Sequence, residues 1–223
     1  MKKFTSIATI TMASLMLVAA PAVSFAAENT TETESASQEH LITFVDATEI
    51  ATNAAQLSAD DVVFSKKMQT YEDGIAVYEI DFLIPNETKY EYTIDAKTGD
   101  IIDSEIEGWE EDDNEDYAAL LAEDQALFDF EAAKTQIVTM PAVSQVIEEV
   151  AKGREEELCY YKDGFDYDDG RIVYVFGVMF PKEEKFEYKF DMNTGAVVDL
   201  DKDIWEADDN AEYRQLLEDH NLL

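Results

Sequence analysis

The chain has 223 residues, of which 51 are acidic and 16 are lysine or arginine, giving a formal net charge of −35 at pH 7. Nucleic-acid binding depends on basic side chains that neutralise phosphates, and anionic membrane surfaces attract basic segments. The composition therefore argues against both as partners. It is compatible with cationic partners, with divalent ions, or with an acidic surface that only confers solubility.

Residues 1–26 are typical of a secretory signal peptide. Two lysines precede an apolar run, Ile7 to Ala20, and small residues Ser24 and Ala26 precede a cleavage position after Ala26, with Ala20 and Ala22 as a second choice. The run is too short to cross a bilayer as a helix. We expect a protein that is secreted or held in the cell wall, with no membrane insertion after cleavage. Cleavage would remove two lysines and no acid, so the charge would become −37.

Residues 27–40 contain no apolar side chain larger than alanine. Such a segment cannot bury a core, and we expect a disordered acidic leader. The single cysteine, Cys159, has no internal disulfide partner, so we expect a buried small hydrophobe and leave intermolecular pairing open. His40 and His220 have no partner at zinc-binding spacing.

The chain repeats itself after the leader. Residues 71–127 align with residues 167–223 without a gap, and about 22 of the 57 positions are identical. A self-match of this length predicts a duplicated domain. We place the two repeats at residues 41–127 and 128–223.

Each repeat is predicted to open with a helix. Thr43 is the expected N-cap of the first helix, with Asp46 completing a variant of the capping box, and Pro141 suits the first turn of the second. Helical spacing predicts two apolar faces. They consist of Ala47, Ile50, Ala51 and Ala54 in the first repeat, and of Val143, Val146, Ile147 and Val150 in the second.

Alternating apolar residues predict half-buried strands after each helix. The turns Asp73–Gly74 and Asp169–Gly170 precede the long strand of each repeat. The side chains expected to face inward are Tyr78, Phe82 and Tyr92 in the first repeat, and Tyr174, Val178 and Tyr188 in the second. The predicted fold class is α+β, with two tandem repeats, each a helix packed on an antiparallel sheet and followed by an acidic-capped helix.

The repeated segments "DAKTG" and "DMNTG" lie between two strand-like runs. Asp95 and Asp191 can accept hydrogen bonds from nearby backbone N–H groups, and Gly99 and Gly195 can take the positive φ of a tight turn. A calcium loop is the alternative, but its alternating acidic ligands and distal glutamate are absent. We predict hairpin turns at both places.

The segments "WEEDDNEDY" and "WEADDNAEY" place acids directly after Trp109 and Trp205. We expect these acids to cap a helix that the tryptophans hold against the sheet. The apolar side of that helix would carry Tyr117, Leu120, Leu121 and Phe128, or Tyr213, Leu216, Leu217 and His220. A weak cation site is the alternative, and its candidate metal ligands are Asp112, Asp113, Asp208 and Asp209.

The order helix, strand, "EDG" turn, "VYEIDF" strand and "YEYTIDAKTGDI" hairpin resembles the PepSY domain, and the second repeat resembles it too, apart from its less alanine-rich helix. The resemblance implies a non-catalytic exported module whose partner is an extracytoplasmic protein, such as a peptidase that it restrains. It supplies no catalytic residue and no cofactor, and it identifies no partner-binding residue or oligomeric state. Two alternatives stay open, an acidic envelope protein that loosely binds calcium and a remote enzyme with a carboxylate pair.

Overall fold

The computed structural model describes residues 41–122 and 130–222. The helices in these ranges are α1 (Phe44–Ala54), α2 (Asp113–Asp116), α3 (Ala118–Ala122), α4 (Phe130–Val138), α5 (Pro141–Ala151), α6 (Asp209–Glu212) and α7 (Arg214–Asp219), with a short 3-10 helix at Ala59–Asp61. The strands are β1 (Val63–Glu72), β2 (Ile75–Ile84), β3 (Thr88–Asp95), β4 (Ile101–Gly108), β5 (Cys159–Asp168), β6 (Arg171–Phe180), β7 (Glu184–Asp191) and β8 (Val197–Ile204). The predicted signal peptide, the leader, His40 and Phe128 lie outside the described residues.

All eight strands belong to one antiparallel sheet, in the order β4-β3-β2-β1-β5-β6-β7-β8. The predicted α+β class with an antiparallel sheet is confirmed. Strands β1 and β5 join the two halves, pairing from Lys66 with Asp166 to Gln69 with Asp163. The pairing registers of the two halves are equivalent at a spacing of 96 residues, since Val63 opposes Leu83 and Cys159 opposes Met179.

One face of the sheet packs on α1, α4 and α5, and we call it the core face. Thr43 caps α1 in a full capping box with Asp46, as predicted. Ala47 and Ala51 are fully buried against β2 and β3. Ala54, expected on the apolar side, is exposed.

Thr48 and Thr52 take the remaining buried positions of α1. Their hydroxyls donate to the carbonyl oxygens of Phe44 and Thr48, at 2.7 and 2.9 Å. Threonine can enter this apolar interface because the helix itself satisfies its hydroxyl.

Helix α5 begins at Pro141, as predicted, and buries Val143 and Ile147. Val146 and Val150 are only partly buried and pack at the margin of the core cluster that contains these two residues. Helix α4 was not predicted, although it contributes the buried residues Ala133 and Ile137 to the same cluster.

The predicted inward register is confirmed. Tyr78, Phe82 and Tyr92 are at most 5% exposed, and their counterparts Tyr174, Val178 and Tyr188 at most 9%. The expectation of half-buried strands is wrong for β6, which is buried along both faces from its second residue onward. Part of its other face is covered by α7, whose Leu216 and Leu217 cluster with Met179 of β6.

The short C-terminal helix of each half contacts the hairpin of the other half. The N–H of Gln215 in α7 donates to the Gly74 carbonyl in the β1–β2 turn, and the Gln215 side chain accepts from the N–H of Ala76. In α2 and α3, the Asp116 carbonyl accepts from the Tyr167 hydroxyl, which in turn accepts from the N–H of Leu120. These exchanged contacts help to make residues 41–222 part of one compact unit.

The hairpin predictions at Asp95 and Asp191 are confirmed. The Asp95 carboxylate accepts from two backbone N–H groups of its turn at 2.7 and 2.9 Å, and Asp191 accepts from the equivalent pair at 3.1 and 2.9 Å. Gly99 and Gly195 have φ values of +76° and +68°. No helix in the described part of the chain is long and apolar enough to cross a membrane.

Candidate functional site

The second face of the sheet is rich in carboxylates, and we call it the acidic face. Neighbouring side chains of a strand point to opposite faces, so the residues between the core positions share this side. Strand pairing places them opposite one another across the sheet. They include Glu79, Asp81, Glu91, Asp103 and Glu105 in the first half, and Glu187, Asp199, Asp201 and Asp203 in the second.

Lys66 lies at the centre of the acidic face. Its Nζ is 3.2 Å from Glu79 and 3.6 Å from Asp81. Burial lowers the pKa of Lys66, but the carboxylates of Asp81, Glu79 and Asp166 together more than reverse this, so the net direction is upward. Burial raises the pKa of Asp81 to about 7, despite the opposing effect of Lys66. One lysine is thus attracted to several carboxylates that are only partly exposed to water.

A cavity of about 440 Å³ opens on the acidic face beside α6, and we call it the acid-lined cavity. Its walls combine six carboxylates, two lysines, three tyrosines and a threonine. They are Glu72, Glu79, Glu187, Asp201, Asp203, Glu212, Lys162, Lys185, Tyr71, Tyr161, Tyr213 and Thr70. Strands from both halves of the chain contribute, so the cavity depends on the β1–β5 junction.

The three tyrosines form one aromatic wall. The ring centroid of Tyr213 is 6.2 Å from that of Tyr71 and 5.4 Å from that of Tyr161, both in edge-on geometry. Burial and then the carboxylates of Glu187, Asp201, Asp203 and Glu212 raise the pKa of Tyr161. These phenols therefore stay neutral at physiological pH.

Tyr161 owes its position to a β-bulge and to a glycine. The register shifts between Tyr160 and Lys162, which takes Tyr161 out of the regular alternation. Its ring lies over Gly177, where an added Cβ would be 2.8 Å from the Tyr161 ring and 2.6 Å from the Lys162 Cβ. Any larger residue at position 177 would displace the ring.

The two lysines of the cavity already have partners. Lys162 pairs with Glu187 at 2.9 Å, and Lys185 pairs with Asp209, outside the cavity wall, at 2.6 Å. Within the described ranges, no lysine or arginine is in salt-bridge range of Glu72, Asp201 or Asp203. Burial, followed by repulsion from Glu79, Asp73 and Asp103, raises the pKa of Glu72. The cavity therefore has an excess of negative charge.

A smaller cavity of about 80 Å³ lies at the equivalent place in the first half. Lys89, Glu91 and Tyr117 line it, as Lys185, Glu187 and Tyr213 line the larger one. Asp81 stands at the position of Gly177, and Ser65 at that of Tyr161. The two cavities thus share a lysine, a glutamate and a tyrosine at equivalent positions and differ at the other two.

The four candidate metal ligands divide into two kinds. Asp113 and Asp209 are 5% and 3% exposed, and each accepts from one backbone N–H and one lysine. Asp112 and Asp208 precede the helices but make no side-chain capping hydrogen bond, so the expected acidic cap is not formed. Across residues 41–122 and 130–222, no group of three or more His, Cys, Asp or Glu side chains is arranged to hold a metal ion.

The tryptophans that precede these acids pack beside the short helices. The Trp109 ring is 5.8 Å from Tyr117, and the Trp205 ring is 6.0 Å from Tyr213. Leu120, Leu216 and Leu217 are buried beneath them as predicted, whereas Leu121 and His220 are exposed.

Cys159 is buried, as predicted, at 2% exposure beside Met179 and Tyr161. Burial raises the pKa of its thiol. Nucleophilic cysteines need an accessible, electropositive setting, and Cys159 has neither.

The outer strands β4 and β8 are exposed along their whole length. Each carries apolar side chains on the core-face side and acids on the other. The exposed apolar residues are Ile101, Ile102 and Ile106 on β4, and Val197, Val198, Leu200 and Ile204 on β8. An edge strand has unpaired backbone groups that can accept another strand.

The acid-lined cavity was missed by sequence reasoning. Its aromatic side chains could be recognised, because Tyr71, Tyr117, Tyr167 and Tyr213 all belong to the repeat. Nothing local in the sequence shows that β1 and β5 pair, and this pairing brings Tyr71 beside Tyr161.

Comparison with known proteins identifies a PepSY domain, described as "Peptidase propeptide and YPEB domain", at residues 41–105. These residues comprise α1 and most of strands β1 to β4. No curated protein matches the chain. A solved structure of a Clostridium difficile protein named "putative lipoprotein" matches with 17% identity over 74% of this chain and 97% of that chain, at a TM-score of 0.49. That likeness is too distant to bear on function.

Proposed function

We propose that the protein is a non-catalytic exported binding module that restrains an extracytoplasmic peptidase by non-covalent contact. The PepSY domain at residues 41–105 carries this proposal, because it is the type of domain found in peptidase propeptides. We further propose that residues 128–223 are a second copy of it. The equivalent strand registers, 96 residues apart, support that view.

The exposed edge β4 offers a surface for such a partner. An extended segment could add to the sheet there, through backbone hydrogen bonds and contact with Ile101 and Ile106. A second copy of the same strand would bring Asp103, Glu105 and Glu107 against like charges. The acids thus oppose self-association and favour a partner segment with basic residues.

The test is a titration of a secreted thermolysin-like metallopeptidase with the purified protein. Stoichiometric loss of peptidase activity is expected. Ile106 is 62% exposed, so Ile106→Glu should leave the fold intact and weaken inhibition at least about tenfold through lost apolar contact. Val45→Glu, at a position 65% exposed on α1, is the matched control. Full peptidase activity in a molar excess of folded protein would contradict the proposal.

A further inference from the structure

We propose that the acid-lined cavity binds an alkylammonium group, supplied by a free polyamine or by a lysine side chain of another protein. The site is separate from the β4 edge, and the proposal does not depend on peptidase restraint. Four features of the cavity support it: size, charge, aromatic wall and an unused hydroxyl.

Size and charge define the class of ligand. A volume of about 440 Å³ is in the range of small-molecule sites. The carboxylates outnumber the lysines by six to two, and both lysines are paired. An anion would meet repulsion here, whereas a cation would offset the charge of Glu72, Asp201 and Asp203.

The aromatic wall selects an organic cation over a metal ion. Tyr71, Tyr161 and Tyr213 present clustered rings, and the Nζ of Lys185 lies 5.6 Å from the centroid of the Tyr213 ring. Alkylammonium groups bind to aromatic rings through cation–π attraction and apolar contact of their methylene groups, and the rings of Tyr71 and Tyr161 are the part of the wall left to a ligand. A divalent metal requires several oxygen ligands converging on one point. Among the described residues no such group of three is found.

The hydroxyl of Tyr161 is the fourth feature. The residue is more than nine-tenths buried and lines the cavity. Among residues 41–122 and 130–222 the hydroxyl has no hydrogen-bond partner, in contrast to that of Tyr174, which donates to Asp163. The Tyr161 oxygen is not among the fully buried polar atoms without a partner, which in the described ranges are the Trp109 and Trp205 indole nitrogens, so it reaches the open space of the cavity. An ammonium N–H in the cavity could donate to this oxygen.

The smaller cavity provides an internal comparison. There Ser65 replaces Tyr161 and the Asp81 carboxylate occupies the position of Gly177, in salt-bridge range of Lys66. The counterpart of Lys66 in the acid-lined cavity, Lys162, pairs with Glu187 instead, because Gly177 supplies no carboxylate. The smaller cavity has a volume of only about 80 Å³, so the geometry points to the acid-lined cavity alone as the ammonium site.

Isothermal titration calorimetry with spermidine tests the proposal, at constant ionic strength set by sodium chloride. We expect saturable one-to-one binding that magnesium chloride at the same concentration does not reproduce. Asp201→Asn combined with Asp203→Asn should weaken binding at least about tenfold, because two unpaired charges are removed. Both residues lie on the exposed edge strand β8, so the fold should tolerate the change.

The matched control is Glu105→Gln combined with Glu107→Gln on β4. It removes the same charge from the same face of the sheet but lines neither cavity. Tyr161→Phe is a second variant, which keeps the ring and removes only the hydroxyl, and it should weaken binding at least about threefold. Equal loss in the two double variants would reduce the effect to net charge and overturn the proposal. Absence of saturation in the parent would overturn it as well.

A short lysine-containing peptide distinguishes the two sources of the ammonium group. Binding of the peptide in competition with spermidine would assign the cavity to a protein lysine. Saturable binding of spermidine alone would assign it to a free polyamine. Either result supports an alkylammonium site, and failure of both ligands to bind contradicts it.

Discussion

Asp113 and Asp209 each hold a lysine of the neighbouring strand in a nearly dry environment. Asp113 Oδ1 is 3.0 Å from the Nζ of Lys89, and Asp209 Oδ1 is 2.6 Å from that of Lys185. Burial raises the pKa of Asp113, but the Glu110 N–H and Lys89 reverse this, so the net direction is downward. Position along the chain did not show which acid of each Asp–Asp pair would be buried.

Replacing these two acids should therefore have unequal effects. Asp113→Ala is expected to lower the free energy of unfolding by about 2–4 kcal/mol, because it leaves Lys89 and the Glu110 N–H without their shared acceptor. Asp112→Ala, at an exposed position with no capping hydrogen bond, should change it by less than about 0.5 kcal/mol. Urea unfolding of both variants measures the difference. Similar losses would mean that Asp112 contributes a contact absent from the structure.

The two hairpin glycines, Gly99 and Gly195, should be required for full stability. Gly195→Val should destabilise the protein by at least about 1 kcal/mol, because valine is poorly tolerated at positive φ and its Cβ would lie 2.8 Å from the Met140 sulfur. Gly99→Val should behave alike, with its Cβ 3.1 Å from Ile50. Gly108→Val, at an open site without positive φ, is the control. Unchanged thermal midpoints for the first two would show that the turns do not need glycine.

Among the elements, strands β1, β2 and β5 share the buried charges around Lys66. Asp81 has a pKa of about 7 in the folded protein, compared with about 3.9 for an unfolded aspartate. The folded state thus binds a proton between these pH values that the unfolded chain releases. Stability from this group is greatest below about pH 4 and declines as the pH rises to about 7.

The corresponding prediction is that Asp81→Asn removes part of the pH dependence. At pH 8 the variant should be more stable than the parent by at least about 1 kcal/mol, a figure reduced to allow for the partial solvent exposure of Asp81. Near pH 4 the two proteins should be similarly stable. Urea unfolding at both pH values provides the measurement. Glu105→Gln, an exposed acid of the same face, is the control. A variant that is less stable than its parent at pH 8 would show that the Lys66 ion pair outweighs the burial of Asp81.

Elements defined by local patterns could be predicted from the sequence. Helix α1 has its capping box, β2 and β3 have alternating apolar residues, and the two turns have their Asp and Gly residues. The sequence did not predict the β1–β5 pairing, helix α4 or the contacts of α2, α3 and α7 with the hairpin of the other half. These features depend on contacts between segments far apart in the chain. The acid-lined cavity belongs to this second group, since β1, β5, β8 and α6 all contribute to its wall.

The whole molecule has a net charge of −35, which attracts cations without any specific site. This general attraction must be distinguished from binding at a defined cation site. If the acids near Trp109 and Trp205 serve only structure, calcium should bind without saturation at millimolar concentration and its effect should fade smoothly with added sodium chloride. Calorimetry with calcium chloride tests this. A saturable signal that disappears when Asp112, Asp113, Asp208 and Asp209 become Asn, in protein that stays folded, would instead support a calcium site.

The two halves of the molecule form one continuous sheet with an exposed strand at each end. This arrangement leaves β4, the last strand of the PepSY domain, free to meet a partner while α1 and α5 cover the core face. A binding module needs such a surface and needs no reactive group. The proposed binding surfaces are therefore the edge strand β4 and the acidic face of the sheet, and neither lies in the core.

Hydrogen–deuterium exchange with a secreted thermolysin-like metallopeptidase tests whether strand β4 binds the peptidase. We expect the amides of residues 101–108 to exchange more slowly when the peptidase is present at saturating concentration, in step with the loss of peptidase activity. Val45→Glu should retain this protection and Ile106→Glu should reduce it. Unchanged exchange along β4, with the peptidase fully active beside folded protein, would contradict restraint of the peptidase through this strand.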